Sequence, residues 1–132
     1  MKTYVFDASA LIALLEDSLK VKELVKEAHR QHNQLWMSAV NYGEAYGKIM
    51  RDHGPQQAIK VMGSVRLLPI QIQDATSLRA MHAQDLKNRY KLYYADAFAA
   101  ALAIEHKATL VTSDTDFKKL GHNFPILWLR TN

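Results

Sequence analysis

Cysteine is absent from this chain of 132 residues. Its absence excludes disulfides, cysteine nucleophiles and thiolate metal sites, and is compatible with a reducing compartment. Long apolar runs are also missing, and the N-terminal segment up to Asp7 has the pattern of neither a signal peptide nor a membrane span. We therefore expect a cytoplasmic protein with no membrane association.

Histidine pairs at metal-binding spacing are absent too. None of the six histidines forms an i, i+4 pair or an HExxH motif, so a histidine-bound zinc site is not expected. The sequence has no internal repeat, low-complexity segment or linker. A chain of this length buries roughly two-thirds of its unfolded surface, which predicts one domain over residues 1–132.

The chain is basic, with 17 Lys and Arg against 13 Asp and Glu and a net charge of +4. If five acids belong to a site, the 17 cations face only eight other acids, a balance of +9. A basic body around an acidic pocket suits a polyanionic ligand that reacts at a bound metal. Ordinary solubility also explains a charge of +4, so charge alone does not decide.

Strand-like runs alternate with helical periodicity along the chain. This alternation predicts an α/β fold, a mainly parallel sheet flanked by helices on both faces. Pro69 cannot donate to a strand ladder, which places the third strand at an edge or ends it there. The predicted strands cover 2–6, 35–37, 65–70, 109–112 and 126–129, and the predicted helices cover 9–16, 19–31, 39–52, 55–62, 74–88 and 94–106.

Five carboxylates stand at or near the ends of apolar elements, where α/β proteins keep their chemistry. Each alone is explained as a helix cap, a turn residue or a surface acid. Together they favour a site, because clustered acids repel one another and require a cation. Carboxylate oxygens suit Mg²⁺ or Mn²⁺, which then activate water and orient phosphate. The five are Asp7, Glu44, Asp96, Asp114 and Asp116.

Four stretches around these acids together resemble the PIN domain, and most closely the VapC-type ribonuclease toxins of toxin–antitoxin pairs. Each motif is weak alone, but all four in order are specific and span nearly the whole chain. Ser113 departs from the pattern, since many relatives carry glycine there. The stretches read VFDASAL (5–11), SAVNYGE (38–44), YADA (94–97) and LVTSDTDF (110–117).

The resemblance implies a Mg²⁺-dependent endoribonuclease, with Mn²⁺ as a possible substitute, that leaves 5′-phosphate and 3′-hydroxyl ends. It also implies an antitoxin partner and a homodimer. Asp7 and Asp96 are the best candidates for direct metal ligands, with Glu44 and Asp114 completing the site and Asp116 as an accessory acid. The expected supporting residues are Ser9, Asn41 and Thr112.

A basic stretch leads towards Tyr93, Tyr94 and Asp96 and is a candidate RNA track, because bases stack on aromatic rings and cations bind phosphates. A solvated helix face explains it about as well. The stretch contains Arg79, Lys87, Arg89 and Lys91.

Two other functions stay open. One is a PIN nuclease of RNA processing that has no antitoxin. The other, from a different class, is a regulatory phosphoacceptor domain, which also clusters acids at strand ends. A phosphoacceptor needs an acidic pair after one strand and a lysine after a later one, whereas Asp7 is followed by Ala8 and Ser9. The RNA target does not follow from the sequence.

Overall fold

Five parallel strands form the centre of the fold. The computed structural model describes residues 1–129. The strands are β1 (Lys2–Phe6), β2 (Asn33–Ser38), β3 (Ile70–Gln73), β4 (Thr109–Thr112) and β5 (Ile126–Trp128). They pair in the order β3-β2-β1-β4-β5, and every pair is parallel, which confirms the predicted fold class.

Helices cover both faces of the sheet and return the chain between strands. They are α1 (Ala8–Leu15), α2 (Leu19–His29), α3 (Ala39–His53), α4 (Pro55–Val65), α5 (Ser77–Tyr90) and α6 (Tyr94–Glu105). A 3-10 helix (Thr115–Leu120) follows β4 and was not predicted. Within residues 1–129, the structure has no helix with the length and apolar character that a membrane span requires.

Side chains alternate along β1 and so build two separate cores. Phe6 packs on one face with residues of α1 to α4, whereas Val5 packs on the other with residues of α5 and α6. Period-2 alternation of this kind is what a strand buried on both faces requires. Helix α6 is itself buried along most of its length, since seven successive residues, 97–103, are all buried.

The predicted strand over 65–70 is wrong. Val65 is the buried last residue of α4, and the strand begins only at Ile70, after Pro69. The ring nitrogen of Pro69 cannot join a ladder, whereas Ile70 pairs in register with Leu35 of β2. The expected edge position holds, because β3 is the outermost strand on its side.

The parallel topology brings the carboxyl ends of the strands to one edge of the sheet. Asp7 directly follows β1 and caps α1, while Asp114 follows β4 and caps the 3-10 helix. Ser38 ends β2 and caps α3, where its hydroxyl accepts the N–H of Val40. Chain segments far apart in sequence therefore begin their helices side by side.

Candidate active site

Three donors hold the Asp7 carboxylate at the end of β1. Oδ1 accepts the Ser9 hydroxyl at 2.7 Å and the Ala10 N–H at 2.9 Å, and Oδ2 accepts the Thr112 hydroxyl. Burial raises the pKa of the Asp7 carboxyl above its ordinary value, although these hydrogen bonds oppose the change. The side chain is thus fixed in place, and a lone pair of Oδ2 is left for another ligand.

The two hydroxyls also fix the loop after β4. Ser9 Oγ accepts the Ser113 N–H at 2.9 Å, and Thr112 Oγ1 accepts the Asp114 N–H at 2.9 Å. Each hydroxyl has one hydrogen and donates it to Asp7. The two hydroxyl oxygens, 3.3 Å apart, are therefore in contact without a hydrogen bond between them. Ser9 and Thr112 therefore set the position of Asp7 relative to Asp114.

Replacing Thr112 with valine tests this network. Thr112 is fully buried, so the isosteric change leaves Asp7 short of a donor and the Asp114 N–H without an acceptor. We expect the free energy of unfolding to fall by about 1–3 kcal/mol and the Mn²⁺ affinity to fall about 10- to 100-fold. Thermal unfolding and Mn²⁺ titration measure both. The control is Ser64→Ala, which removes a hydroxyl at an exposed residue of α4; equal behaviour of the two variants would contradict the prediction.

The surroundings of Asp96 disfavour a charged carboxylate. It lies in the first turn of α6 and is only 9% exposed. Its Oδ2 is buried without a hydrogen-bond partner among residues 1–129. Burial, followed by the negative charges of Asp114 and Glu44, raises the pKa of Asp96 to about 7. A nearby cation would reverse this effect, because it favours the ionised form.

Asp114 and Asp116 lie close to Asp96. One carboxylate oxygen of each of the three residues lies within 4.8 Å of the other two. Asp114 Oδ1 accepts the Asp116 N–H at 2.9 Å, so the turn that opens the 3-10 helix presents both acids together. Asp116, expected to be an accessory acid, therefore belongs to the closest trio of carboxylates, whereas Asp7 does not.

Glu44 is held by a buried neighbour on α3. Asn41 is fully buried, and its Nδ2 donates to Glu44 Oε1 at 3.1 Å and to the Ala95 carbonyl at 3.0 Å. Asn41 and Glu44, three residues apart, thus lie on the same face of α3. Through Ala95, the same amide ties α3 to the residue that precedes Asp96.

Four of the five acids line one cavity of about 720 Å³. Two cations that sequence reasoning missed line it as well: Lys48, which also pairs with Asp52 at 3.0 Å, and Arg51. Their spacing of four and seven residues from Glu44 on one helix was the available signal. The four acids are Asp7, Glu44, Asp96 and Asp114, and Asp116 lines the adjoining pocket instead.

The structure separates the four basic residues of the predicted RNA track. Lys87 and Lys91 line the pocket that includes Asp116, whereas Arg79 and Arg89 do not. The Arg79 guanidinium donates to Glu105 at 3.0 and 2.8 Å, and also to the Gln73 side chain and the Asp74 carbonyl. Arg79 thus joins α5 to α6, and we leave it out of the proposed RNA contacts.

Solved structures share this fold over most of their length. VapBC2 of Rickettsia felis, bound to a DNA fragment from their promoter, aligns with a TM-score of 0.73 at 17% identity, covering 95% of this chain and 97% of that chain. VapC20 of Mycobacterium tuberculosis, a sarcin–ricin loop cleaving toxin, gives 0.68 at 18% identity over 89% and 95%. A toxin–antitoxin complex of Klebsiella pneumoniae gives 0.65 at 20% identity over 94% and 95%.

Sequence comparison is consistent with this likeness. No curated protein matches the chain, but the family model of the PIN domain matches residues 4–123. That match covers nine-tenths of the chain, including the second half of β1, all of β2 to β4 and all five acids. This chain therefore belongs to the PIN domain family.

Proposed function

We propose that this chain is a metal-dependent endoribonuclease, using Mg²⁺ or Mn²⁺, and the toxin of a type II toxin–antitoxin pair. The observation that carries the proposal is the buried Oδ2 of Asp96, which has no hydrogen-bond partner among residues 1–129 and lies near four further acids. A carboxyl in such surroundings keeps its proton near neutral pH unless a cation is bound. That arrangement opposes stability and is expected where a site needs it for chemistry.

The donor set fits a hard divalent cation. All five candidate side chains offer carboxylate oxygens, which Mg²⁺ and Mn²⁺ prefer, and no cysteine or histidine lines the cavity. Asp96, Asp114 and Asp116 are spaced closely enough to share an ion, with Asp7 and Glu44 beside them. A bound cation supplies the positive charge that acidifies water and stabilises the departing oxygen of a phosphodiester.

The residues of the chain then have distinct tasks. Ser9 and Thr112 hold Asp7 in position through hydrogen bonds that favour its ionised form, and Asn41 directs Glu44 into the cavity. With a cation bound, Asp96 would be ionised, because the positive charge would offset its burial and the neighbouring acids. Arg51 and Lys48 stand at the α3 side of the cavity, where they can bind the phosphate backbone. The acids alone would repel RNA, so these cations are needed for substrate approach.

The comparisons support the substrate and the partner. VapC20, which shares the fold, is described as a sarcin–ricin loop cleaving toxin, and other neighbours were solved as toxin–antitoxin complexes. We propose by analogy that this chain cleaves RNA, forms a homodimer and is inhibited by a small antitoxin in the cytoplasm. Its basic balance outside the acids suits a polyanionic substrate.

Incubation of the purified chain with total RNA tests the proposal. We expect RNA cleavage in the presence of Mg²⁺ or Mn²⁺, with products that carry 5′-phosphate ends. We expect no cleavage in excess chelator. Growth arrest on induction, relieved by co-expression of a small neighbouring reading frame, tests the toxin role. Cleavage without growth arrest would favour an RNA-processing nuclease. Phosphorylation of Asp7 by a small phosphodonor, with no cleavage, would favour the phosphoacceptor class instead.

A further inference from the structure

A second pocket, of about 570 Å³, adjoins the acidic cavity. Its polar lining is mainly cationic and aromatic, and its single acid is Asp116, which also belongs to the closest trio of carboxylates. A ligand in this pocket would therefore lie directly beside the proposed metal-binding acids. The cationic and aromatic residues are Lys87, Lys91, Lys119, Tyr93 and Tyr94.

The three lysines are available to an anion. Within residues 1–129, none of their ammonium groups forms an ion pair with a carboxylate. Lys119 Nζ donates to the Lys91 carbonyl at 3.1 Å, which leaves two of its three hydrogens free. Three cations around one concave surface, with one acid between them, suit a phosphodiester better than a neutral ligand.

The backbone at this pocket is held in an uncommon conformation. Lys91 ends α5 with φ 58° and ψ 45°, the left-handed region that a lysine enters at a cost. Leu92 is buried behind it, and the Lys119 hydrogen bond secures the Lys91 carbonyl. The buried Leu92 and the bonded Lys91 carbonyl therefore anchor the short segment between α5 and α6. Tyr93 is the last residue of this segment before α6.

Tyr93 is the more exposed of the two tyrosines that line the pocket. Its side chain is 73% exposed and makes no capping hydrogen bond to α6. The neighbouring Tyr94 differs, because its ring packs edge-on against Phe98 at 5.0 Å. An exposed aromatic ring beside cations offers a stacking surface for a nucleobase.

We infer that this pocket binds the unpaired nucleotide next to the scissile phosphate, with its base stacked on Tyr93 and its phosphate bound by Lys87, Lys91 and Lys119. The inference rests on the proposed ribonuclease function and adds to it the residues that hold one nucleotide of the substrate. A base in a duplex is stacked on its neighbours and cannot stack on Tyr93 as well. Stacking on Tyr93 therefore makes binding of a single strand, but not of a duplex, depend on this residue.

Equilibrium binding to RNA tests the inference separately from cleavage. The probe is a fluorescein-labelled unstructured RNA of about 12 nucleotides, a length within the range of single-strand binding sites, and its duplex is the comparison. Chelator prevents hydrolysis during the measurement, which uses fluorescence anisotropy. We expect Tyr93→Ala to weaken single-strand binding about 5- to 100-fold, Tyr93→Phe to restore most of it, and duplex binding to change little.

Charge variants provide the second arm. Lys87→Ala should lower the slope of log affinity against log salt by about 0.7, the value for one phosphate contact on a single strand. Lys60→Ala, at an exposed residue of α4 that lines neither pocket, is the matched control and should leave the slope unchanged. Unfolding temperatures equal to that of the wild type confirm that each variant folds.

Two results would overturn the inference. If the wild type binds and cleaves RNA but Tyr93→Ala binds the single strand as tightly, the pocket is not a nucleotide subsite and the ribonuclease proposal survives. If the wild type neither binds nor cleaves RNA, the ribonuclease proposal fails and the subsite fails with it. Reduced binding in Tyr93→Ala that Tyr93→Phe restores supports the subsite.

Discussion

Asp96→Asn is expected to abolish RNA cleavage and, in metal-free buffer at pH 8, to make the protein more stable. The variant loses a negative oxygen from the trio of closest carboxylates, so cleavage should fall by more than about 100-fold, the upper range for lesser perturbations of metal sites. Stability should rise because asparagine removes a charge that burial and four neighbouring acids disfavour.

The sign of the stability change follows from the pKa. The folded pKa of Asp96, about 7, lies above the ordinary value of 3.8, so the folded chain retains a proton that the unfolded chain has lost between these pH values. The contribution of Asp96 therefore lowers the free energy of unfolding of the wild type as the pH rises from about 4 to 7, and the loss is complete above pH 7. The variant has no carboxyl at this position and does not undergo this loss. After the desolvation cost of the amide, we expect a gain of about 1–3 kcal/mol at pH 8 and almost none near pH 4.

Chemical denaturation in chelator at both pH values measures this effect. Asp85→Asn makes the same chemical change at an exposed residue of α5 and should alter neither stability nor cleavage. Two results would contradict this account of Asp96: a loss of stability in Asp96→Asn at pH 8, or RNA cleavage by that variant at the wild-type rate. Either would show that Asp96 is not a metal ligand whose charge is unfavourable in the metal-free protein.

Divalent cations should stabilise the folded chain strongly, and with a defined pH dependence. At a Mn²⁺ concentration of about 100 times the Kd, the free energy of unfolding should rise by about 2.7 kcal/mol, which raises the unfolding temperature by about 10 °C for a domain of this size. Because a proton on Asp96 competes with the ion, the affinity should weaken about tenfold for each pH unit below 7.

Differential scanning fluorimetry across Mn²⁺ concentration and pH measures this linkage. Asp96→Asn should lose both the stabilisation and its pH dependence, while Asp85→Asn should keep them. Stabilisation of equal size in wild type and Asp96→Asn would show that the ion binds elsewhere. Stabilisation that does not change between pH 8 and pH 6 would show that no proton is displaced.

Much of the fold followed from the sequence because each element carries its own signal. The strand over 109–112 is a short apolar run between turns, and Ser38 marks the start of α3. The error came at residues 65–70, where the apolar residue Val65 suits a helix end as well as a strand. Only pairing with β2, a contact distant in sequence, decides that the strand begins at Ile70.

Site residues could be predicted where their type and their position at the end of a strand or helix indicate a role. They could not be predicted where the role depends on distances between residues in the folded chain. Asp7 and Asp114 follow strands and had to meet at one edge. Asp116 lies close to Asp96 and Asp114 because of the 3-10 helix that follows β4, and that helix has no apolar periodicity from which it could be predicted. The hydrogen bond from Arg79 to Glu105 joins residues that are 26 positions apart, and no local sequence pattern predicts it.

Titration of the metal-free protein with Mn²⁺, with bound ion measured by electron paramagnetic resonance and RNA cleavage measured in the same samples, tests the central claim most directly. We predict that cleavage rises in proportion to Mn²⁺ bound by the wild type, and that Asp96→Asn shows neither tight binding nor cleavage. Cleavage by samples that hold no ion, or equal Mn²⁺ binding by both proteins, would contradict the assignment of these carboxylates as the metal site of a ribonuclease.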